Sequence, residues 1–342
     1  MTTEPDFTST LEAKVAEQLK AQRVGYLLGS GSSYLNGNGY PLTGELWDKI
    51  KDRMKDTAKR DEIQAKLDCG ATGIEDALDL LDDGQPVEGP HRHLVTAAIS
   101  DLFQPMAPSL DLHVEFVRRL GRRSDPCVKV FSLNYDPLIE RAAERAHVRL
   151  VDGFLGHEHA FFNPAVFSET FLQSRGPRAK PSFHPAGLPI HLYKLHGSLG
   201  WYDCPDRGVC RCGYSEPPPA NAVRLMVPPQ RRKVSEVVRP TYSPLWTAFR
   251  GAMSHDAKPL NRLVAIGYGF LDEHVNDVVE SALSRSAFRL LIFAKDLSDV
   301  AWARWSVKTN VIAVTETRCA LEGKPGTGHP DLWNFERLAG EV

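Results

Sequence analysis

Four short stretches carry residues able to do chemistry: "GSGSS" at 29–33, "SLNYDPL" at 132–138, "KLHGS" at 194–198 and "GYGFLDEH" at 267–274. His196 exchanges a proton near neutral pH, which makes it the candidate base. Asn134 can orient a water or a ribose hydroxyl. Asp136 can accept from hydroxyls, although its place just before a helix also suits it to capping. Gly29, Ser30, Gly31, Ser32 and Ser33 form a turn whose small residues bring backbone N–H groups close to an anion, with two hydroxyls as extra donors. Gly267, Tyr268 and Gly269 form a second such turn, on which an adenosine or a pyrophosphate can lie. Asp272 follows where it either meets a ligand or caps the next helix.

These stretches need elements to position them. "VGYLL" (24–28), "CVKVFSLN" (127–134), "PIHLYKL" (189–195) and "RLVAIGYG" (262–269) are apolar runs of strand length that lead into the four stretches. "VRLV" (148–151), "VRLMV" (223–227), "FRLLIFA" (288–294) and "VIAVT" (311–315) are further strands. Helical periods lie at 10–23, after Thr43 as N-cap, at 136–146, 244–254, 272–286 and 297–308. Near-continuous apolar strands alternating with helices predict a doubly wound parallel α/β sheet covered on both faces. In such sheets ligands sit at the carboxyl ends of the strands, and all four stretches fall on that rim.

Between 58 and 120 every periodic segment is helical, which predicts an inserted helical module. Residues 1–57 and 121–320 then form the Rossmann-like catalytic domain. Residues 153–188 and 201–222 read as irregular insertions, and 321–342 as a C-terminal tail.

Composition narrows the class. The chain has 342 residues, 42% hydrophobic and 25% charged, with a formal net charge of -2. No global basic field calls for nucleic acid, and local clusters such as "QRRK" (230–233) read as solvated surface. No apolar run approaches a membrane span. The polar, acidic first residues are unlike a signal peptide, so a cytoplasmic location is expected. Six cysteines are too few for a disulfide scaffold. Cys204, Cys210 and Cys212 supply three sulfurs where a structural zinc takes four ligands; the nearest extra candidates are His184 and His191, and a metal-free loop is expected. His157 and His159, in "GHEH", carry no assignment. The first glycine turn lacks the third glycine of a dehydrogenase fingerprint, because position 34 is Tyr34, so hydride transfer is disfavoured.

Taken in order, "GSGSS", "LNYD", "KLHGS" and "GYGFLDEHVN" resemble the motifs of the sirtuin superfamily, in particular the bacterial sirtuin-like NAD-consuming proteins of antiphage defence. The resemblance spans roughly residues 24 to 295. It implies a bound NAD as substrate, with its pyrophosphate near Gly29 to Ser33 and its adenosine near Gly267, Tyr268 and Gly269, with Asp272 alongside. It implies that Asp136 fixes the nicotinamide ribose while His196 acts as base on a water held by Asn134. The expected activity is that of an NAD glycohydrolase releasing nicotinamide and ADP-ribose, with NAD depletion during phage infection as its role. Such an enzyme must be held off in a healthy cell, so an oligomer or a regulatory partner protein is expected to control it. The alternatives are a sirtuin-type protein deacylase and a non-catalytic module sensing NAD or ADP-ribose. Leu133 stands where deacetylating members carry Gln, and the two-pair cysteine module is missing; both count against the deacylase.

Overall fold

The computed structural model describes residues 6–82, 89–125, 127–156, 159–168, 189–214, 216–227, 240–256 and 258–342. Fourteen strands lie in these segments. In chain order the first seven are β1 (Val24–Leu28), β2 (Val128–Ser132), β3 (Leu150–Val151), β4 (Phe154–Leu155), β5 (Ala160–Phe162), β6 (Ile190–Lys194) and β7 (Gly197–Cys204). The other seven are β8 (Gly208–Arg211), β9 (Val223–Met226), β10 (Arg262–Ile266), β11 (Arg289–Phe293), β12 (Val311–Val314), β13 (Arg318–Leu321) and β14 (Lys324–Thr327).

Nine of them form one sheet in the order β14-β13-β12-β11-β10-β1-β2-β6-β3. It is parallel from β12 to β3, with an antiparallel pair, β13 and β14, on one edge. Side chains alternate between two cores, as a sheet covered on both faces requires. Tyr26, Leu28, Val130, Leu192 and Val264 enter one core with the helices Phe7–Leu19 and Asp111–Leu120. Leu27, Phe131, Tyr193 and Ala265 enter the other with Ser243–Arg250, Glu273–Leu283 and Asp299–Trp305. This is the doubly wound α/β architecture.

Several local expectations shift. The first helix runs Phe7–Leu19 rather than 10–23, and Thr43 is the first residue of its helix while Leu42 occupies the cap. The segment "VRLMV" does not enter the parallel sheet. It is β9, paired antiparallel with β7 in a second sheet of order β4-β5-β8-β7-β9. The described parts of the supposed irregular insertions supply β4, β5, part of β7 and β8 to that sheet. Residues 169–188, with His184, lie outside the described residues, as do His157 and the "QRRK" cluster.

The helical segment is offset from 58–120. A third core joins Tyr40, Leu46, Trp47 and Ile50 to Ile63, Leu78, Val95, Ile99 and Phe103. The helix Asp111–Leu120 instead puts Val114, Phe116, Val117 and Leu120 under the main sheet, with Phe116 edge-on to Tyr26 at 5.5 Å. The expected tail is also structured. It contains β14 and a helix, Phe335–Leu338, whose Phe335 and Leu338 are buried in the main core.

Candidate active site

A cavity of about 600 Å³ lies between the strand-end rim and the helical segment. The rim contributes Gly29, Ser30, Gly31, Ser33, Asn134, Asp136, His196, Gly267, Tyr268, Gly269 and Asp272. The helical segment contributes Tyr40 to Gly44, Leu46, Glu75 and Phe103. Of the residues expected to act on or bind NAD, Ser32 alone is not on the lining; it is buried.

His196 stands on the two-residue link between β6 and β7, so it is the joint between the two sheets. Its carbonyl accepts from Val227 N–H at 2.9 Å, and Leu195 N–H donates to Ser132 O at 2.9 Å. The next residue, Gly197, has φ +74°, and a Cβ there would lie 2.2 Å from Leu225 O. Only glycine fits that turn. The His196 ring is buried, and its Nε2 lies 3.1 Å from Asp272 Oδ2.

Asp272 was expected beside the ligand or at a helix cap. It does cap: Oδ1 accepts from His274 N–H at 3.1 Å. Its other oxygen holds His196, so both carboxylate oxygens have protein partners. Tyr268 closes the loop, with Oη 3.1 Å from Asp272 O and 3.2 Å from Asn276 Oδ1. Burial, and then the Asp272 charge, push the Tyr268 phenol well above its ordinary pKa, so it stays protonated.

Asn134 is a clamp as well as a lining residue. Its Nδ2 donates to Gly29 O at 2.9 Å and to Ser33 Oγ at 2.9 Å, with Ser32 Oγ at 3.2 Å. Because Gly29 O can only accept, the amide orientation is fixed, and Oδ1 is the atom with which Asn134 accepts. The glycine turn differs from expectation in where its donors go. Gly29 N–H donates to Ile266 O, Gly31 N–H to Gly267 O, Ser32 N–H to Gly29 O and Ser33 N–H to Ser30 O. The glycines serve close packing: a Cβ on Gly31 would meet Gly267 Cα at 2.7 Å, and one on Gly267 would meet Ser32 N at 2.3 Å. Gly269 is roomier, with Leu271 the nearest neighbour at 3.8 Å.

Asp136 lines the cavity and accepts from Leu138 N–H through Oδ1 at 3.1 Å. Its carbonyl is held by Lys194 Nζ. Lys194 is fully buried and pairs with Glu140 at 3.2 Å, so the lysine of "KLHGS" braces the Asn134–Asp136 turn. Sequence reading also missed the Ala294–Asp296 and Glu316–Thr317 parts of the lining. They follow β11 and β12, so the strand-end rule that found His196 also finds them.

The cysteines form a separate buried cluster in the second sheet. Cys204 and Cys210 Sγ are 2.8 Å apart, and His159 Nδ1 is 3.4 Å from Cys212 Sγ. Two sulfurs on a tetrahedral zinc would be about 3.8 Å apart, given Zn–S bonds of about 2.3 Å. Burial raises the Cys210 and Cys212 thiols, which favours the neutral form. His191 packs instead against Phe167 and Tyr193. Among the described residues no group of three or more His, Cys, Asp or Glu is arranged to hold a metal, and no helix is long and apolar enough to cross a membrane.

Fold and rim together define an α/β protein with a ligand cavity at the carboxyl ends of a doubly wound sheet. The SIR2-like domain model matches residues 128–309, and the chain belongs to that family, within the sirtuin superfamily. Among solved structures it is similar to a substituted Sir2 homologue in complex with ADP-ribose, with a TM-score of 0.44 and 13% identity over 96% of this chain and 93% of that one. It is similar also to a triply substituted Sir2 homologue with 2'-O-acetyl ADP-ribose, with a TM-score of 0.43 and 13% identity over the same shares. No curated protein matches the chain.

Proposed function

We propose that this protein is an NAD glycohydrolase, cleaving NAD with water to nicotinamide and ADP-ribose. The observation that carries the reading is the convergence of His196, Asn134, Asp136 and both glycine turns on one cavity. The chemistry suits these groups. Nicotinamide leaves as a neutral pyridine, so the leaving group needs no general acid. The sugar passes through a transition state resembling an oxocarbenium ion, and the protein's task is to position a nucleophile and take its proton. His196 takes that proton, from water directly or through a ribose hydroxyl, while Asn134 Oδ1 accepts from the same water and holds it in line. Asp136 fixes the nicotinamide ribose. The turns at 29–33 and 267–269 seat the pyrophosphate and the adenosine; with several of their N–H groups bonded internally, Ser30, Ser33 and the room above Gly269 are the parts that meet the ligand. The reading extends to the biological role that the family resemblance implies, depletion of NAD in antiphage defence under control of an oligomer or a partner.

The test is incubation of purified protein with NAD, alone and with an acetylated peptide, followed by product analysis. Nicotinamide and free ADP-ribose in the absence of peptide are expected. O-acetyl-ADP-ribose formed only with peptide would replace the reading with deacylation, and bound but intact NAD would replace it with a sensing module.

A further inference from the structure

We infer that Asp272 is a positioning residue for His196: it accepts the Nε2 hydrogen, fixes the ring tautomer and leaves Nδ1 as the nitrogen that takes the proton. The inference rests on the hydrolytic reading of the site and names the atom at which its base works. An ionised carboxylate only accepts hydrogen bonds, so across the 3.1 Å contact the ring nitrogen must donate. In a neutral imidazole with its hydrogen on Nε2, the lone pair resides on Nδ1.

The carboxylate and the loop that carries it are themselves held. Oδ1 is fixed by His274 N–H at 3.1 Å. The Asp272 backbone N–H donates to Tyr268 Oη at 3.2 Å, and Asn276 Nδ2 donates to Phe270 O at 2.9 Å. Phe270 adopts φ 56°, a left-handed conformation costly for an aromatic residue, so this loop is determined by its bonds rather than by backbone preference. Side chains of His196 and Asp272 are 7% and 5% exposed, and a contact so dry is not loosened by solvent. One residue thus starts a helix with one oxygen and orients the ring with the other.

That division makes Asp272→Asn a clean substitution. Asn keeps a side-chain oxygen for the helix cap, where it serves as well as Asp. Its NH2 group then faces Nε2, which must accept, and the ring hydrogen moves to Nδ1. In proteases with a Ser-His-Asp triad the same exchange costs about four orders of magnitude by imposing the wrong tautomer. The experiment combines 15N NMR of histidine-labelled protein, at a pH where the ring is neutral, with steady-state cleavage of NAD. The His196 signal is identified by its loss in His196→Ala. Expected are an Nε2–H ring in the unsubstituted protein, an Nδ1–H ring in Asp272→Asn, and kcat lower by about two to four orders of magnitude with KM changed by no more than about twofold. Asp272→Ser, which caps without reaching the ring, should lose kcat similarly and show both tautomers. The inference falls if His196 keeps one tautomer in all three proteins. It falls equally if Asp272→Asn retains full kcat while His196→Ala is inactive. Should the unsubstituted protein leave NAD intact, the hydrolytic reading fails on its own, and the NMR comparison still decides the contact.

Discussion

The nine-stranded and five-stranded sheets contribute different things to one site. In the large sheet β1, β6 and β10–β12 are buried almost throughout, and helices cover both faces. In the small one the strands are antiparallel, all but β7 have four residues or fewer, and its edges are partly wet, with Phe161 at 52% and Val223 at 48% exposure. The large sheet supplies the rim: the glycine turns, Asn134 and, through the helix after β10, Asp272. The small sheet supplies the far anchor of His196, through β9 and Val227. A residue held at that seam is positioned by both sheets, whose side chains meet in one core, so its placement is only as exact as their junction. That is the lesson of the contrast.

The largest effect should come from the residue at the seam. His196→Ala should lower nicotinamide release by about two to four orders of magnitude while the thermal midpoint moves by a few degrees at most. A midpoint that collapses with turnover per folded molecule unchanged would make His196 a core residue of the seam and nothing more.

Breaking the junction itself should show in stability. Gly197→Ala forces a Cβ against Leu225 O at φ +74° and should cost on the order of 3 kcal/mol in denaturant unfolding. Gly31→Val would meet Gly267 in the same way, so its loss of NAD binding would report a broken rim. Gly269→Val is the sharper probe: it should stay folded and bind NAD at least tenfold more weakly, a difference of about 1.4 kcal/mol. Unchanged affinity in a folded Gly269→Val protein would remove that turn from the ligand.

Paired truncations contrast the sheets directly. Leu192→Ala, in fully buried β6, should cost about 2–5 kcal/mol, whereas Phe161→Ala, in half-exposed β5, should stay within about 0.5 kcal/mol. A cost for Phe161→Ala close to that of Leu192→Ala would contradict the half-exposed placement of Phe161.

Acid should also act on the large sheet first. Burial lowers His113, packed under it, and His191, on β6, from 6.5 to about 4. Below the ordinary histidine value the unfolded chain binds protons that the folded one refuses. The stability these neutral rings allow is therefore complete above about pH 6.5 and is lost as pH falls toward 4, at up to about 1.4 kcal/mol per unit for each group. His113→Phe should flatten the unfolding free energy across that window, and an unaltered slope would contradict the assignment.

What was legible in the sequence follows the same division. Strands buried on both faces leave continuous apolar runs, and β1, β2, β6 and β10–β12 were readable for that reason. The small sheet was not: β4 and β5 are two and three residues long and are flanked by Gly153 and Gly156, and Ala160 finds its partner at Arg211, across a long insertion. His196 and Asn134 were readable as chemically able residues at strand ends. The second contact of Asp272 was not, because a side-chain bond between residues 76 positions apart leaves no periodicity. Nor could spacing show that Gly31 packs on Gly267, or which core the stripe of Asp111–Leu120 would choose.

The place of β1 in the sheet order bears on how the protein is made. β1 is synthesised well before one of its two neighbours, β10, which follows it by more than two hundred residues. A growing chain therefore displays Asn134 and His196 long before β10 closes the sheet and Asp272 arrives to hold the ring. Until then β1 has an unpaired edge, open to other strands and to chaperones that cover such edges. Translation that stops before residue 262 yields a product with Asn134 and His196 and no assembled rim. Under the proposed function, NAD cleavage therefore awaits the synthesis of β10 and of the helix that follows it.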